Sequence, residues 1–395
     1  MIPVEAALDH LFALARPLPT ERVPLRQAAG RVLAAPAVAR RDQPPFPASA
    51  MDGYAIRPED HVPGRVLTVI AEAAAGHGYN GTVPAGSAVR IFTGAPVPKG
   101  AGRVVIQEDV TSDGDRITLG DRMDEASHVR AAAQDFSAGS QLRAPRRLSP
   151  ADLALLAAMN VPDLYVARRP VVALIATGDE LVMPGEDPAP DQIIASNTFA
   201  LAAMVEAAGG EARMLPIARD TPESLAATLA LAEDADLIVT IGGASVGDHD
   251  LVARVAAGEG MERAFYKVAM RPGKPLMAGR LGDAVLLGLP GNPVSAIVCG
   301  KLFLVPMLEA MQGLPAEPAR RFPAVLAEDV GPNGPREHYM RARLEPGDGP
   351  PRIRPFARQD SALLSVLAEA DALLIRPVGD GPLQAGRTVS YIPLP

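Results

Sequence analysis

Carboxylates, cations and glycine turns crowd into residues 236–295, where they could bind a phosphorylated ligand and a divalent metal. The apolar run Asp236-Leu-Ile-Val-Thr-Ile241 leads into Gly242-Gly-Ala-Ser-Val-Gly-Asp-His-Asp250. That turn offers Gly242, Gly243, Ser245 and Gly247 to an anion and Asp248 and Asp250 to a metal. Glu180, beside Asp179, and Asp220 stand at the ends of neighbouring strand-like runs and could complete an oxygen-ligand set for Mg²⁺. Each acid could equally cap a helix, and Asp220 before Thr-Pro-Glu fits that role as well as the other. Tyr266-Lys-Val-Ala-Met-Arg-Pro-Gly-Lys-Pro275 supplies Lys267, Arg271 and Lys274. Proline stiffens their loop, so less freedom is lost on binding an anion. Only Lys99, Lys267, Lys274 and Lys301 are lysine among 38 basic residues. In a chain that otherwise uses arginine, two lysines so close together suggest a compact ammonium is wanted there.

The run Leu289-Pro-Gly-Asn-Pro-Val-Ser295 joins a strand to an apolar helix. Pro290, Gly291, Asn292 and Pro293 shape the join, and its free N–H groups with the Ser295 hydroxyl make either an anion site or a plain helix start. It is not a Walker loop, and no Gly-x-Gly-x-x-Gly follows a strand. Upstream, Asp52-Gly53 is a turn dipeptide whose carboxylate could serve as ligand or base, or simply turn a hairpin. Thr93, leaving a strand through Gly-Ala-Pro, could likewise bind a ligand or be structural. The 6 histidines are scattered without metal-ligand spacing, and only His249 lies beside the acids. No Ser/His/Asp or Cys/His nucleophile arrangement is apparent.

The elements that must position these residues alternate strand and helix from about 170 to 310. Buried runs such as Val171-Val-Ala-Leu-Ile-Ala176 imply a mostly parallel sheet covered on both faces. Ligands of such sheets gather at the carboxyl ends of the strands, where Glu180, Ser245–Asp250 and Pro290–Ser295 fall. Ser149-Pro-Ala-Asp152 reads as a helix start. Residues 1–38 read as helical, with Val4, Ala7, Leu8 and Leu11 at helical spacing and Leu25–Leu33 a second amphipathic segment. A proline cluster at 43–47 marks a boundary. Residues 65–141 carry short β runs, as in a small barrel or sandwich, and residues 316–395 return to short β runs.

At 395 residues the chain exceeds one ordinary core. Gly 36 and Pro 40 among them suit turns and domain joints rather than disorder. A net charge of −8 and 4% aromatic residues argue against a nucleic-acid partner. The single cysteine, Cys299, excludes an intramolecular disulfide and a cysteine-based zinc site. The amino terminus lacks signal-peptide character, and no apolar run approaches bilayer length, so a cytoplasmic protein with no membrane partner is expected.

Six segments, in order along the chain, carry a family resemblance: Pro45–Ala55, Arg90–Pro96, Thr177–Leu181, Gly242–Asp248, Arg271–Pro275 and Gly288–Ser295. With them the chain resembles the molybdopterin molybdenumtransferases, the family of bacterial MoeA and the gephyrin E domain. The resemblance implies a multidomain α/β fold. Its parts would be a discontinuous helical domain (1–39 and 140–168), an inserted β domain (40–139), a three-layer α/β/α molybdopterin-binding domain (169–315) and a C-terminal β-barrel (316–395).

The activity it implies is Mg²⁺-dependent insertion of molybdate into adenylylated molybdopterin, releasing AMP and giving molybdenum cofactor. A cytoplasmic homodimer with an active cleft shared between subunits is implied too, and the molybdopterin adenylyltransferase and acceptor molybdoenzymes become candidate partners. Asp52, Thr93, Glu180, Asp220, Asp250 and Lys267 match functionally sensitive family positions. Arg271, Lys274, Ser295 and Ser361, with Arg341, match its oxyanion pocket. Arg271 stands where lysine is common, which keeps the charge and changes the donor geometry. Three alternatives stay open: a non-catalytic molybdopterin-binding scaffold, a tungsten-specific paralogue, and a nicotinamide-nucleotide deamidase with a similar α/β domain. The deamidase would have no reason to carry Met51-Asp-Gly-Tyr54.

Overall fold

A computed structural model describes residues 1–243, 251–347 and 349–394. They divide into two compact units, one of residues 22–29 and 33–165, the other of residues 1–21, 30–32 and 166–395.

The amino-terminal stretch corrects the helical reading. Only Val4–Leu14 (α1) is an α-helix, and Leu25–Gln27 is a 3₁₀ turn between the short strands Thr20–Pro24 and Val32–Leu33. Prolines at 17, 19 and 24 remove helix donors there and leave the chain extended. The apolar stripe of α1, with Val4, Ala7, Leu8 and Leu11 all buried, packs into the core of the larger unit.

The smaller unit is built on a six-stranded mixed sheet. Its strands are Gly53–Ile56 (β1), Val66–Ala73 (β2), Ser87–Ile91 (β3), Arg103–Ile106 (β4), Val110–Asp113 (β5) and Arg116–Leu119 (β6), in the order β4-β1-β3-β2-β6-β5. Only β2 and β3 run parallel; β1 is antiparallel to both β3 and β4. The helix Pro150–Ala158 (α2) starts as its sequence predicts. Ser149 Oγ accepts from Asp152 N at 3.2 Å while Asp152 Oδ2 accepts from Ser149 N at 2.9 Å, a reciprocal capping box.

In the larger unit the sheet order is β8-β7-β9-β13-β12-β10. The strands are Val171–Ala176 (β7), Glu211–Met214 (β8), Leu237–Ile241 (β9), Glu262–Tyr266 (β10), Met277–Leu281 (β12) and Ala284–Leu289 (β13), while Met270–Arg271 (β11) lies outside this sheet. β8, β7, β9 and β13 are parallel; at one edge β12 runs antiparallel to β13, and β10 antiparallel to β12. Alternation along the strands divides two cores. Val172, Leu174, Leu237 and Val239 face α1 and the helix Asn197–Ala207 (α3). Ala173, Ile175 and Ile238 face the helices Pro222–Ala230 (α4) and Leu251–Gly258 (α5).

The helical segment Pro293–Met311 consists of Pro293–Cys299 (α6), a π turn over Gly300–Leu304 and Val305–Met311 (α7). It corrects the expectation about apolar runs. Its 19 residues, of mean hydropathy 1.7, are long and apolar enough to cross a membrane by length and composition, but 78% of it is buried inside the protein. The carboxyl-terminal strands Phe322–Leu326 (β14), Glu337–Glu345 (β15), Arg352–Pro355 (β16), Ala372–Arg376 (β17) and Thr388–Pro393 (β18) close into a five-stranded barrel through the β15–β17 pairing. β11 lies parallel to the start of β15, with Arg271 opposite His338.

Candidate functional site

A cavity of about 1090 Å³ opens in the larger unit at the carboxyl ends of β7, β9 and β13. Its wall holds Glu180, Asp220, Gly242, Gly243, Arg271, Lys274, Pro290, Gly291, Asn292, Pro293, Ser295 and Ser361, all singled out from the sequence. Ser245, Gly247, Asp248 and Asp250 lie outside the described residues. Lys267 does not line the cavity. It follows β10 in a left-handed conformation (φ 66°), with its ammonium 4.5 Å from the Tyr266 ring centroid.

Each wall residue has a local reason for its place. Asp220 precedes α4 without capping it. Thr221 is the cap, accepting from Ser224 N at 3.2 Å, so the Asp220 carboxylate is not consumed by the helix. The Asp220 N–H donates to Asp179 Oδ1 at 3.3 Å, fixing that turn against the one bearing Glu180. Pro293 occupies the first turn of α6, and Asn292 at its N-cap makes no side-chain cap bond. Asn197 donates from Nδ2 to the Gly291 carbonyl at 2.7 Å, joining the start of α3 to this loop. Val294 N donates to the Ser361 carbonyl at 3.1 Å, which brings the barrel loop 358–363 to the same wall.

Arg341 lies behind the cavity wall. Its side chain is 1% exposed and does not line the cavity. Its guanidinium donates to Gln359 Oε1 at 3.3 Å and the Leu363 carbonyl at 3.3 Å, so it braces from beneath the loop that carries Ser361. Arg336, immediately before β15, lines the wall together with Arg271, and the β11–β15 pairing joins their two segments. Arg254, on α5, lines the cavity as well.

Sequence reasoning missed both, because neither stands out in an arginine-rich chain and the β11–β15 pairing is long-range. Ser196-Asn197 before an apolar run was a readable helix-start signal for the α3 contribution. Buried His338 sits among these arginines. Burial, followed by the charges of Arg271, Arg341, Arg376 and Arg336, lowers it to about 4, so its imidazole is neutral at pH 7.

Thr177 Oγ1, at the end of β7, and Asn197 Oδ1 are buried on the cavity wall without hydrogen-bond partners among the described residues. Unsatisfied polar atoms of this kind are costly unless a ligand or water completes them. Among the described residues no group of three His, Cys, Asp or Glu side chains gathers to hold a metal.

Asp52 and Thr93 belong to the smaller unit. Asp52, exposed at the turn before β1, accepts on Oδ1 from Thr93 N and Thr93 Oγ1, both at 2.7 Å. These two bonds, with the charge of Arg90, hold its carboxyl below the usual carboxylate range. The two bonds tie the turn before β1 to the segment that leaves β3.

The fold and the cavity define a multidomain protein with a cation-lined cavity at the carboxyl ends of parallel strands. The chain belongs to the molybdopterin molybdenumtransferase family. It matches the MoeA N-terminal region (domain I and II) over residues 2–160, the probable molybdopterin binding domain over residues 173–310, and the MoeA C-terminal region (domain IV) over residues 323–394. The molybdopterin molybdenumtransferase of a Nostoc species is 37% identical over 388 residues, covering 95% of this chain and 89% of that protein. That of Haemophilus influenzae is 32% identical over 394 residues, covering 98% and 97%. Among solved structures, the molybdopterin biosynthesis moeA protein of Pyrococcus horikoshii superposes with a TM-score of 0.85 at 29% identity, covering 100% of both chains.

Proposed function

We propose that the chain inserts molybdate into adenylylated molybdopterin, releasing AMP and yielding molybdenum cofactor in a Mg²⁺-dependent reaction. The observation that carries this reading is the shared wall of one cavity, where Arg271, Lys274 and Arg336 meet Ser295 and Ser361 together with Glu180 and Asp220. Molybdate, a substrate, is a small tetrahedral dianion. Two guanidinium groups and an ammonium provide its charge partners, and serine hydroxyls add neutral donors. Backbone N–H groups of Gly243, Gly291 and Asn292 are assigned to the adenylate phosphates, while Gly242, whose N–H donates to the Leu289 carbonyl at 3.1 Å, lets the ligand approach the backbone.

Glu180 and Asp220 suit Mg²⁺, which commonly takes one or two carboxylates together with substrate phosphate oxygens and water. Asp250 is the further ligand we propose. Bound there, Mg²⁺ would polarise the phosphoanhydride. Asp52 contributes an ionised carboxylate whose Oδ1 is committed to Thr93, which leaves Oδ2 to accept from a substrate donor.

We further propose a cytoplasmic homodimer with a shared cleft, Lys267 as a sensitive position near it, and exchange with the molybdopterin adenylyltransferase and acceptor molybdoenzymes. The four-part division into helical, inserted β, three-layer α/β/α and barrel domains belongs to the same proposal, all as the family resemblance implies. The test is AMP release from adenylylated molybdopterin, with molybdate and tungstate compared and Mg²⁺ withheld in a parallel run. Molybdate- and Mg²⁺-dependent release is the expected result. No release with either oxyanion would instead favour a non-catalytic scaffold, and release with tungstate alone a tungsten-specific paralogue.

A further inference from the structure

The turn that presents Asp52 belongs to the smaller unit. Both carbonyls of that turn are held. Gln107 N donates to the Asp52 carbonyl at 3.1 Å, and Arg90 Nη1 donates to the Gly53 carbonyl at 3.2 Å. Arg90 Nη2 donates at 2.6 Å to Oε1 of the same Gln107, so one glutamine anchors the peptide by its backbone and the guanidinium by its side chain. The guanidinium carbon lies 4.9 Å from the ring centroid of Tyr54 and 4.9 Å from that of Phe92. Two rings and two neutral oxygens thus fix the group in place. Gly53 permits the arrangement, since a Cβ there would fall 1.9 Å from the Val105 carbonyl oxygen.

Neither hydrogen-bond acceptor of Arg90 carries a charge, so its own charge stays available to the neighbouring carboxylate. The other charged groups at this face are Glu72, the register partner of Arg90 on β2, and Glu108, which accepts from Gln107 Nε2 at 3.4 Å. Both are exposed, and neither forms an ion pair with Arg90. A lysine at position 90 could supply charge but not the two divergent N–H groups that span Gly53 and Gln107.

We propose that Arg90 is a positioning residue for Asp52. Its guanidinium, clamped between Tyr54 and Phe92, locks the Asp52–Gly53 peptide so that the carboxylate and Thr93 present one fixed geometry. This deepens the reading of Asp52 as a catalytic group, and only the rate effect rests on that reading. Thr93 holds the carboxylate directly, while Arg90 and Gln107 hold the backbone from which it projects. Removing Arg90 leaves the Thr93 bonds possible but lets the turn rotate, and it withdraws a charge that adds to those bonds in lowering the carboxyl pKa.

The test is a ¹³C titration of aspartate-labelled full-length protein, the Asp52 signal being assigned from Asp52→Asn. Arg90→Gln is expected to raise the Asp52 midpoint toward the ordinary carboxylate value. It should also lower kcat for AMP release roughly tenfold to a hundredfold while leaving KM for molybdate unchanged, because the oxyanion residues are untouched. Arg90→Lys should restore the midpoint more fully than the rate. Exposed Gln107→Ala, which removes one anchor and keeps the charge, should shift both readouts in the same direction by smaller steps, and it decides the matter should Arg90→Gln not fold. An Asp52 midpoint unmoved in the folded variants overturns the proposal. If Asp52→Asn releases AMP at the wild-type rate, the catalytic reading of Asp52 fails, and the titration still judges the clamp.

Discussion

Arg336 and Arg341 lie within one short stretch of chain and do different work. Arg336 faces the cavity, whereas Arg341 is buried and spends its donors on Gln359 and the Leu363 carbonyl. Removing a charge-assisted hydrogen bond costs about 1.5–3 kcal/mol, so Arg336→Gln should raise KM for molybdate roughly tenfold to a hundredfold with little change in melting temperature. Arg341→Gln should do the reverse, lowering the melting temperature and disturbing molybdate binding only through the Ser361 loop. Steady-state kinetics and calorimetry on the two variants separate the roles. His338 adds a pH dependence to the same region. Its folded pKa, about 4, lies below the ordinary histidine value of 6.5. The unfolded chain therefore binds a proton over that window that the folded chain refuses. The contribution of neutral His338 to stability is complete above about 6.5 and is lost as pH falls toward 4. Thermal melts over that range should show a shallower pH dependence in His338→Gln than in the parent chain.

At the scale of elements, the loop Arg271–Pro275 passes close against α6 at a glycine. Gly273 has φ +114°, and a Cβ there would sit 2.5 Å from Cys299 Sγ in α6. Gly273→Ala should therefore cost about 1–3 kcal/mol, through backbone strain and overpacking together. Adding Cys299→Ala should recover only the packing share, and urea titration of the three variants measures the split. Nothing in the sequence identifies that contact, although Arg271-Pro-Gly-Lys-Pro275 was legible as a stiff cationic turn. Strands β7, β9 and β13 were legible because each is an unbroken apolar run, and α2 because Ser149 and Asp152 spell its cap. The amino-terminal segment was not. Its helical spacing past α1 is carried by few residues, and the prolines there favour extended pairings whose partners lie far along the chain. An apolar helix after the Leu289–Ser295 run was legible, but its π turn at Gly300–Leu304 leaves no pattern in composition.

Across the whole molecule, the cavity draws its wall from segments scattered between Ala176 and Ala362. Those at strand ends could be read from the sequence, because parallel sheets gather ligands there. Arg336 and the Ser361 loop could not be placed in that way, because a barrel strand pairing with β11 brings them in. The same distribution frames the proposed homodimer. Asp52 and Thr93 reside in the smaller unit, while Glu180, Asp220 and the oxyanion residues reside in the larger. If the cleft is shared between protomers, Asp52→Asn and Asp220→Asn should each abolish AMP release as pure dimers. Co-expression of the two chains, each with its own affinity tag, should recover activity in the doubly tagged fraction. In a mixed dimer one shared cleft carries both lesions and the other carries neither, so about half of the sites work. A cleft assembled wholly within one chain predicts that every cleft stays broken whatever the mixture. Recovered activity in the doubly tagged fraction therefore supports the shared cleft. A stable but inactive mixed dimer refutes it, and chains that elute as monomers in sedimentation refute the dimer itself.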